Sequence, residues 1–282
     1  MYTKKLVVIK PTGNHSNSLI QNLHFEVFCM KHNIQYINPT FKDMTGYYVE
    51  PCSTETNQFY KTLQVDLLGH FFRHSRFIKR IFSVVWIISK TGLIKFIRFD
   101  NNSDEKDCEN RLLKAFEKKD TVYVAGWLFR VPTLTNIYQD QMIRRYSLRN
   151  IFYQDNLLVN KIEKLKAENN ILIGVHIRRG DYKKWKNGKY FYSDEIYEMH
   201  MKNLTKQIDG KIIFILFSNE KIEFQETDNL IISKEPWYVD QHIMTLCSYL
   251  IGPPSTFTLW ASYIGKVKLY HLYDNENLTN VF

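Results

Sequence analysis

Residues 171–182 have the sequence Ile171-Leu172-Ile173-Gly174-Val175-His176-Ile177-Arg178-Arg179-Gly180-Asp181-Tyr182, an apolar run that ends in two adjacent arginines. The run is rich in β-branched residues and predicts a buried strand. In an open α/β sheet, ligands bind just beyond the carboxyl ends of the strands, where Arg178 and Arg179 fall. A guanidinium stays charged and grips phosphate oxygens in pairs. The pattern predicts a phosphate-bearing ligand at the two arginines; the alternative is a strand end paired with Asp181 or only solvated.

Strands and helices alternate on both sides of this strand, which is typical of parallel α/β sheets. Before it, the apolar patterns predict strands at 6–9, 34–37 and 121–125, and helices at 19–31, 108–118, 137–146 and 157–169. After it, they predict strands at 212–217, 230–232, 250–251 and 267–270, and helices at 194–208, 239–249 and 256–264. We therefore expect two α/β halves, with a boundary between 155 and 156.

The composition limits the class of protein. The chain has 282 residues, of which 44% are hydrophobic, and this is enough for the cores of one large or two modest domains. The net charge of +9 favours acidic partners, such as nucleotide phosphates, anionic lipid or nucleic acid. Cys29, Cys52, Cys108 and Cys247 lack C-x-x-C spacing, and the chain shows no signal peptide and no apolar run near the roughly 20 residues of a membrane span. We expect reduced thiols and a cytoplasmic location.

The segment 71–99 carries seven basic residues and no acidic one, interleaved with aromatic and aliphatic residues. One or two amphipathic helices with a solvated basic face would explain this pattern. The segment could also lie on an anionic membrane surface, such as the inner face of the plasma membrane, or bind nucleic acid.

Two later segments also place polar residues after predicted strands. The first is Ser218-Asn219-Glu220, which by itself predicts only a turn at a strand end. The second spans 240–263 and contains Asp240-x-x-x-Met244-x-Leu246-Cys247, Leu250-Ile251-x-Pro253-Pro254-Ser255-Thr256-Phe257 and Trp260-Ala261-x-Tyr263. Ser255 and Thr256 fall where a strand turns into a helix, so their hydroxyls and the free backbone N–H groups predict an anion site, with Ser255 also suited to cap the helix.

These three segments resemble the motifs of the α-1,2-fucosyltransferases and of their α-1,6- and protein O-fucosyltransferase relatives. The resemblance covers residues 120–265 well; Gly13, Asn14, Gln21 and the pair Gly126-Trp127 extend it weakly to the N-terminal half. It implies an α/β, GT-B-like architecture of two Rossmann-like domains facing a cleft. Residues 1–155 would form the acceptor-side domain, and 156–282 the domain that binds GDP-fucose.

The resemblance also implies roles for single residues. Contacts with the donor are expected from His176, Arg178, Arg179, Asn219, Asp240, Ser255, Thr256 and Phe257. Asp240 would accept hydrogen bonds from guanine; alternatively it is only a favourable charge at a helix N-terminus. Arg178 would act on the leaving diphosphate, and Asp181 would orient the arginines. His15 is a candidate base, the alternative being an exposed loop histidine.

The expected reaction is the transfer of L-fucose from GDP-fucose to a glycan hydroxyl, α-1,2 to a galactoside, with inversion at the anomeric carbon. The chain has no Asp-x-Asp element, so we expect no metal and no cofactor, the charge of the diphosphate being neutralised by the arginines and the helix N-terminus. The alternatives are another nucleotide-sugar transferase, an inactive glycan- or nucleotide-binding protein, and a nucleic-acid binder on the 71–99 face. The interpretation we favour has no nucleic-acid partner.

Overall fold

The computed structural model describes residues 4–10, 12–50, 84, 85 and 87–281. The chain divides into two compact units, Met1–Ser147 and Leu148–Phe282, called here the first and the second unit. The predicted boundary at 155/156 lies just inside the second unit. None of the described helices is both long and apolar enough to cross a membrane.

The first unit contains a four-stranded parallel sheet in the order β2-β1-β4-β3. Its strands are β1 (Lys5–Val8), β2 (Gln35–Ile37), β3 (Lys95–Arg98) and β4 (Thr121–Ala125). Its helices that lie wholly within the described residues are α1 (His15–Lys31), α2 (Lys42–Thr45), α3 (Glu105–Phe116), α4 (Pro132–Ile137) and α5 (Gln139–Tyr146). The sheet and α1 bury their apolar residues as the pattern predicts, with Leu6, Val8 and Leu19 fully inaccessible.

Two helices of the first unit differ from the prediction. Helix α1 begins at His15 instead of residue 19, because polar residues are tolerated in the first turn, whose N–H groups lack helical acceptors. The helix predicted at 137–146 is confirmed as α5, which begins two residues later, and it is preceded by α4, which was not predicted and starts at Pro132, a residue suited to the first helical position.

In the segment 71–99, residues 71–83 and 86 lie outside the described residues. Residues 84, 85 and 87–90 are helical, and the side chains of Val84 and Ile87 are 52% and 57% exposed. Residues 95–98, by contrast, form β3, which pairs with β4. The prediction of one or two amphipathic helices is therefore wrong for the end of the segment, where Phe96 and Ile97 belong to a strand of the sheet.

The second unit contains a six-stranded sheet in the order β10-β9-β8-β5-β6-β7. Its strands are β5 (Ile171–Ile177), β6 (Ile212–Ser218), β7 (Leu230–Ile232), β8 (Tyr249–Gly252), β9 (Lys268–Leu272) and β10 (Leu278–Asn280). All pairs are parallel except β9–β10. Its described helices are α6 (Leu157–Ala167), α7 (Asp194–Gln207), α8 (Trp237–Leu246) and α9 (Thr256–Gly265).

This strand order is that of a Rossmann-like sheet, in which the chain runs outward from β5 to one edge and then returns to continue on the other side from β8. The predicted strand at β5 and the alternation around it are confirmed. Helix α8 is shorter than the predicted 239–249, because Tyr249 is already in β8 and the preceding Ser248 N–H bonds to the Leu172 carbonyl at 2.8 Å. The sequence pattern did not predict β10.

Candidate active site

The candidate site lies at the carboxyl edge of the second unit's sheet, where β5 and β8 are neighbours. At this point the connections leave in opposite directions, which opens the crevice that binds ligands in folds of this kind. Gly252 ends β8 with φ +155°, and a Cβ there would lie 2.6 Å from the backbone oxygen of His176. The two strand ends are therefore packed too closely for any residue but glycine at 252.

Arg178 follows β5 at this edge with its side chain 23% exposed. Its Nη2 is 2.8 Å from the Asp181 Oδ1, and its guanidinium lies 5.3 Å from the centre of the Tyr182 ring. Asp181 is 62% exposed and is the only carboxylate paired with Arg178 in the described part of the chain. The ion pair and the ring hold the guanidinium in place while part of it stays accessible to an anion.

Arg179 is directed into the second unit. Its guanidinium donates to the Tyr192 carbonyl and to the Asp194 carboxylate, and the rings of Phe191 and Tyr197 lie 5.1 and 5.7 Å away. The side chain is 10% exposed. The two adjacent arginines thus have different surroundings, and only Arg178 is ion-paired with Asp181. A donor contact by Arg179 stays a prediction.

The Ser218-Asn219-Glu220 segment meets the segment after β5. The backbone N–H of Arg179 donates to the Asn219 Oδ1 at 2.9 Å. Gly180 has φ +61°, and a Cβ there would lie 3.1 Å from the Asn219 Nδ2 and 3.0 Å from the Glu220 Oε1. Asn219 therefore fixes the backbone that carries the arginines.

The third segment joins the same edge through Tyr182, whose hydroxyl donates to the Pro254 carbonyl at 2.6 Å. The next residue, Ser255, caps helix α9, with its Oγ accepting from the Phe257 N–H at 3.2 Å. Thr256 begins the helix. Capping by Ser255 satisfies one of the four N–H groups that a helix leaves without acceptors, so this end keeps donors and a partial positive charge for an anion.

Asp240 lies in the first turn of α8 with a residue exposure of 9%. The hydroxyl of Ser233, just after β7, donates to its Oδ1. Burial raises the pKa of Asp240 to about 7, the effect of desolvation being larger than that of the Ser233 hydrogen bond. The neighbouring Gln241 donates to the Phe257 carbonyl at 3.1 Å and so joins α8 to α9.

Two buried histidines complete the edge. Burial, together with the charge of Arg178, lowers the pKa of His176 to about 3, and burial lowers that of His271 on β9 to about 4. Both rings are therefore neutral at pH 7. Nδ1 of His176 and Nε2 of His271 have no hydrogen-bond partner among the described residues. The ring of His176 lies 5.5 Å from that of Phe257. Sequence reasoning missed His271, although a histidine within an apolar strand could have indicated it.

Comparison with known proteins identifies the family of this chain. The family model described as glycosyl transferase family 11 matches residues 69–276. The chain belongs to glycosyl transferase family 11. No curated protein matches it.

Several solved structures share the fold of this glycosyltransferase. A structure of fucosyltransferase NodZ from Bradyrhizobium aligns with a TM-score of 0.56 and 13% identity, over 99% of this chain and 98% of the other. The structure of NodZ α-1,6-fucosyltransferase soaked with GDP-fucose aligns with a TM-score of 0.55 and 14% identity, over 99% of both chains. The structure of a variant of FUT1 from Arabidopsis thaliana in complex with GDP aligns with a TM-score of 0.52 and 13% identity, over 98% of this chain and 73% of the other. At these identities the likeness shows the fold, which is GT-B-like as predicted.

The remaining predicted residues of the glycosyltransferase lie in the first unit. Gln21 is buried and donates to the Gly126 carbonyl at 2.7 Å, so its amide joins α1 to the end of β4. Gly13 has φ +60° and Asn14 precedes α1 without a side-chain cap. His15 is the exposed first residue of that helix and not part of a loop.

The guanidinium of Arg130 lies 4.0 Å from the ring centre of Trp127, the residue after Gly126. Burial lowers the pKa of Arg130 to about 10. Sequence reasoning missed Arg130.

Proposed function

We propose that this glycosyltransferase transfers L-fucose from GDP-fucose to a glycan hydroxyl, with an α-1,2 linkage to a galactoside as the product. The observation that carries the proposal is the meeting of three fucosyltransferase-like segments at one sheet edge. Asn219 binds the backbone of Arg179, and Tyr182 binds the Pro254 carbonyl next to Ser255. The similar solved structures include fucosyltransferases with GDP or GDP-fucose, which supports the same donor here.

In this proposal the sheet edge stabilises the leaving diphosphate. Breaking the bond between fucose and phosphate leaves negative charge on the β-phosphate while the sugar gains oxocarbenium character. Arg178, held by Asp181 at 2.8 Å, and the N-terminus of α9 at Thr256 are preorganised to receive that charge. Such groups need no rearrangement during the reaction, so a divalent metal is not required.

In this proposal the donor pocket of the second unit also recognises the guanine base. Asp240 accepts hydrogen bonds from the guanine N–H groups, and the neutral His176 offers Nδ1 to the nucleotide. Asp181 orients Arg178, so the acceptor proton needs another base, for which we propose His15. Attack from the face opposite the diphosphate inverts the anomeric carbon. Arg179 supports Arg178 through the backbone that Asn219 fixes.

The proposal is tested with donor competition. Binding of GDP-fucose, GDP-mannose and UDP-galactose is compared by titration, and release of fucose from GDP-fucose is followed without acceptor. Preferred binding of GDP-fucose with slow hydrolysis is the expected result. Tighter binding of UDP-galactose would favour another nucleotide-sugar transferase, and binding without any hydrolysis would favour an inactive binding protein. A glycan array with GDP-fucose then identifies the acceptor and linkage.

A further inference from the structure

A set of aromatic rings continues from Arg178 along the surface of the second unit. Tyr182 and Trp185 have ring centres 4.8 Å apart, Trp185 and Tyr190 are 5.3 Å apart, and Tyr190 and Tyr273 are 6.3 Å apart. Trp185 and Tyr273 are 39% and 41% exposed, and Tyr182 and Tyr190 are buried beneath them. These four rings, together with the lysines described next, are called the aromatic–lysine patch.

The lysines of the patch are Lys183, Lys184, Lys186 and Lys189, and all four are exposed. The Lys186 Nζ lies 5.2 Å from the centre of the Trp185 ring and 5.7 Å from that of Tyr190, and the Lys189 Nζ lies 5.3 Å from the Tyr190 ring. None of the four has an ion-pair partner in the described part of the chain. The nearby Asp181 is already paired with Arg178. The patch therefore presents uncompensated positive charge on aromatic faces.

The backbone holds this arrangement at a cost. Lys186, Asn187 and Gly188 are consecutive residues with φ of 48°, 58° and 76°. For a lysine the left-handed region is strained, and such strain is often kept where a surface has a role in binding. The turn folds the chain back so that Trp185 is held between Tyr182 and Tyr190.

We propose that the aromatic–lysine patch binds the acceptor, and that this acceptor is an acidic glycan bearing a carboxylate, phosphate or sulfate group. The inference rests on the proposed function, because it needs the donor at Arg178. The apolar face of a pyranose ring packs on an exposed aromatic ring such as Trp185, and the lysine ammonium groups attract the acidic group. The Tyr182 ring lies between the patch and the proposed donor site: its centre is 5.3 Å from the Arg178 guanidinium and 4.8 Å from the Trp185 ring. A sugar packed on Trp185 would therefore be close to a donor whose phosphates are bound by Arg178.

A glycan fits these observations better than a membrane surface does. Insertion into lipid needs side chains that project outward, whereas Tyr182 and Tyr190 are less than 9% exposed and support Trp185 from below. A flat, supported ring flanked by ammonium groups matches one sugar with one acidic substituent. An anionic membrane is retained as a contrary outcome of the test.

The test compares lactose with lactose 3′-sulfate and with 3′-sialyllactose, and adds a phosphorylated oligosaccharide on an array to separate the three acidic groups. Transfer from GDP-fucose and direct binding are measured for the wild type, for Trp185→Ala, for Trp185→Phe and for the double variant Lys186→Glu/Lys189→Glu, which changes the two lysines that lie on the rings of the patch. The matched control is Lys161→Glu/Lys164→Glu, which makes the same charge change on the exposed face of α6. Binding of GDP is measured for every variant.

We expect the wild type to prefer at least one acidic glycan, and the double variant to weaken its binding about tenfold, with a change of less than about twofold for lactose. Trp185→Ala should weaken both, Trp185→Phe should restore part of the loss, and the control should match the wild type. Equal binding of neutral and acidic glycans, or equal losses in the control, would overturn the inference. Trp185-dependent binding to phosphatidylserine vesicles without glycan preference would also overturn it. If the wild type binds no GDP and hydrolyses no GDP-fucose, the proposed function itself fails.

Discussion

Replacing Asp240 by asparagine should separate the recognition of guanine from the stability of the fold. The carboxylate is buried, bonded to the Ser233 hydroxyl, and has its pKa raised to about 7. Only the ionised form can accept two hydrogen bonds from guanine. GDP binding should therefore favour ionisation of Asp240 and release protons near neutral pH.

The magnitude follows from the fraction ionised. With a pKa of about 7, about 10% of Asp240 is ionised at pH 6 and about 90% at pH 8, so GDP affinity should rise about tenfold between those values. In Asp240→Asn this rise should disappear. The amide would also face the N–H donors of guanine with a donor of its own, which at pH 8 costs about 1–3 kcal/mol, or roughly 5- to 150-fold in affinity.

Calorimetric titration in buffers with different ionisation enthalpies measures both the affinity and the protons released. The terminal phosphate of GDP titrates in the same range, but it does so equally with both proteins, so the difference between them isolates Asp240. IDP, which lacks the exocyclic amine, should discriminate less between the two proteins than GDP does. An unchanged pH dependence in Asp240→Asn, or equal losses for GDP and IDP, would refute contact between Asp240 and the amine.

At high pH, Asp240→Asn should weaken GDP binding but stabilise the unliganded fold relative to the wild type. Because the folded-state pKa of Asp240 is raised, its contribution to stability is complete below about pH 4 and is lost as the pH rises to about 7. The unfolding free energy of Asp240→Asn relative to the wild type should therefore increase by about 2–3 kcal/mol from pH 5 to pH 8. Urea unfolding at the two pH values measures this, and an unchanged difference would contradict the assigned burial.

Four further predictions concern the sheet edge and the charge on the diphosphate. Arg178→Ala should lower kcat/KM about 10²- to 10³-fold with little effect on the free energy of unfolding. Arg178→Lys should recover only part of the lost activity, because an ammonium cannot bind two phosphate oxygens as a planar guanidinium does. Steady-state kinetics measure both effects, and wild-type turnover in Arg178→Ala would contradict the assignment. Arg179→Ala should instead destabilise the fold by about 3 kcal/mol in urea unfolding, since it leaves the Asp194 carboxylate without its partner. Gly252→Ala should cost about 1–3 kcal/mol in the same assay, because its Cβ would meet the His176 backbone oxygen. Chelation with EDTA should leave transfer intact, and a loss that manganese restores would show that a metal holds the diphosphate.

The regular elements of the second unit could be predicted because their burial is periodic in the sequence. Strand β5 is buried on both faces and is apolar except at His176, and β7 and α9 begin where the pattern places them. The short strand β10 contains Leu278, Thr279 and Asn280 and is mostly exposed, so it has no apolar pattern. Strand β3 was missed because its Lys95 and Arg98 resemble the preceding basic segment, and its place is set by pairing with β4.

Residues of the candidate site were predictable where a strand ends in polar residues, and not where tertiary burial decides the chemistry. Ser255 caps α9 as the strand-to-helix junction suggests. The raised pKa of Asp240, by contrast, comes from burial beside Ser233, which is seven residues away and on another element. The lowered pKa values of His271 and Arg130 also come from burial, which the tertiary structure decides, although the apolar strand around His271 was a signal that could have been used.

The different surroundings of Arg178 and Arg179 follow from the alternation of side chains along β5. Residues with odd numbers on this strand, such as Ile173 and Val175, face a core cluster that includes Tyr192 and Tyr197, and Arg179 continues that face toward the same tyrosines. Residues with even numbers face the side of α8 and α9, where His176 packs near Phe257. The charge of Arg178 acts on this histidine and helps to lower its pKa. The two adjacent cations thus have different surroundings: Arg179 packs among the tyrosines of a core cluster, and Arg178 lies partly exposed beside Asp181 and Tyr182. The loss of stability is therefore expected for Arg179, whose side chain is 10% exposed and paired with Asp194, and the loss of activity for Arg178, whose side chain is 23% exposed.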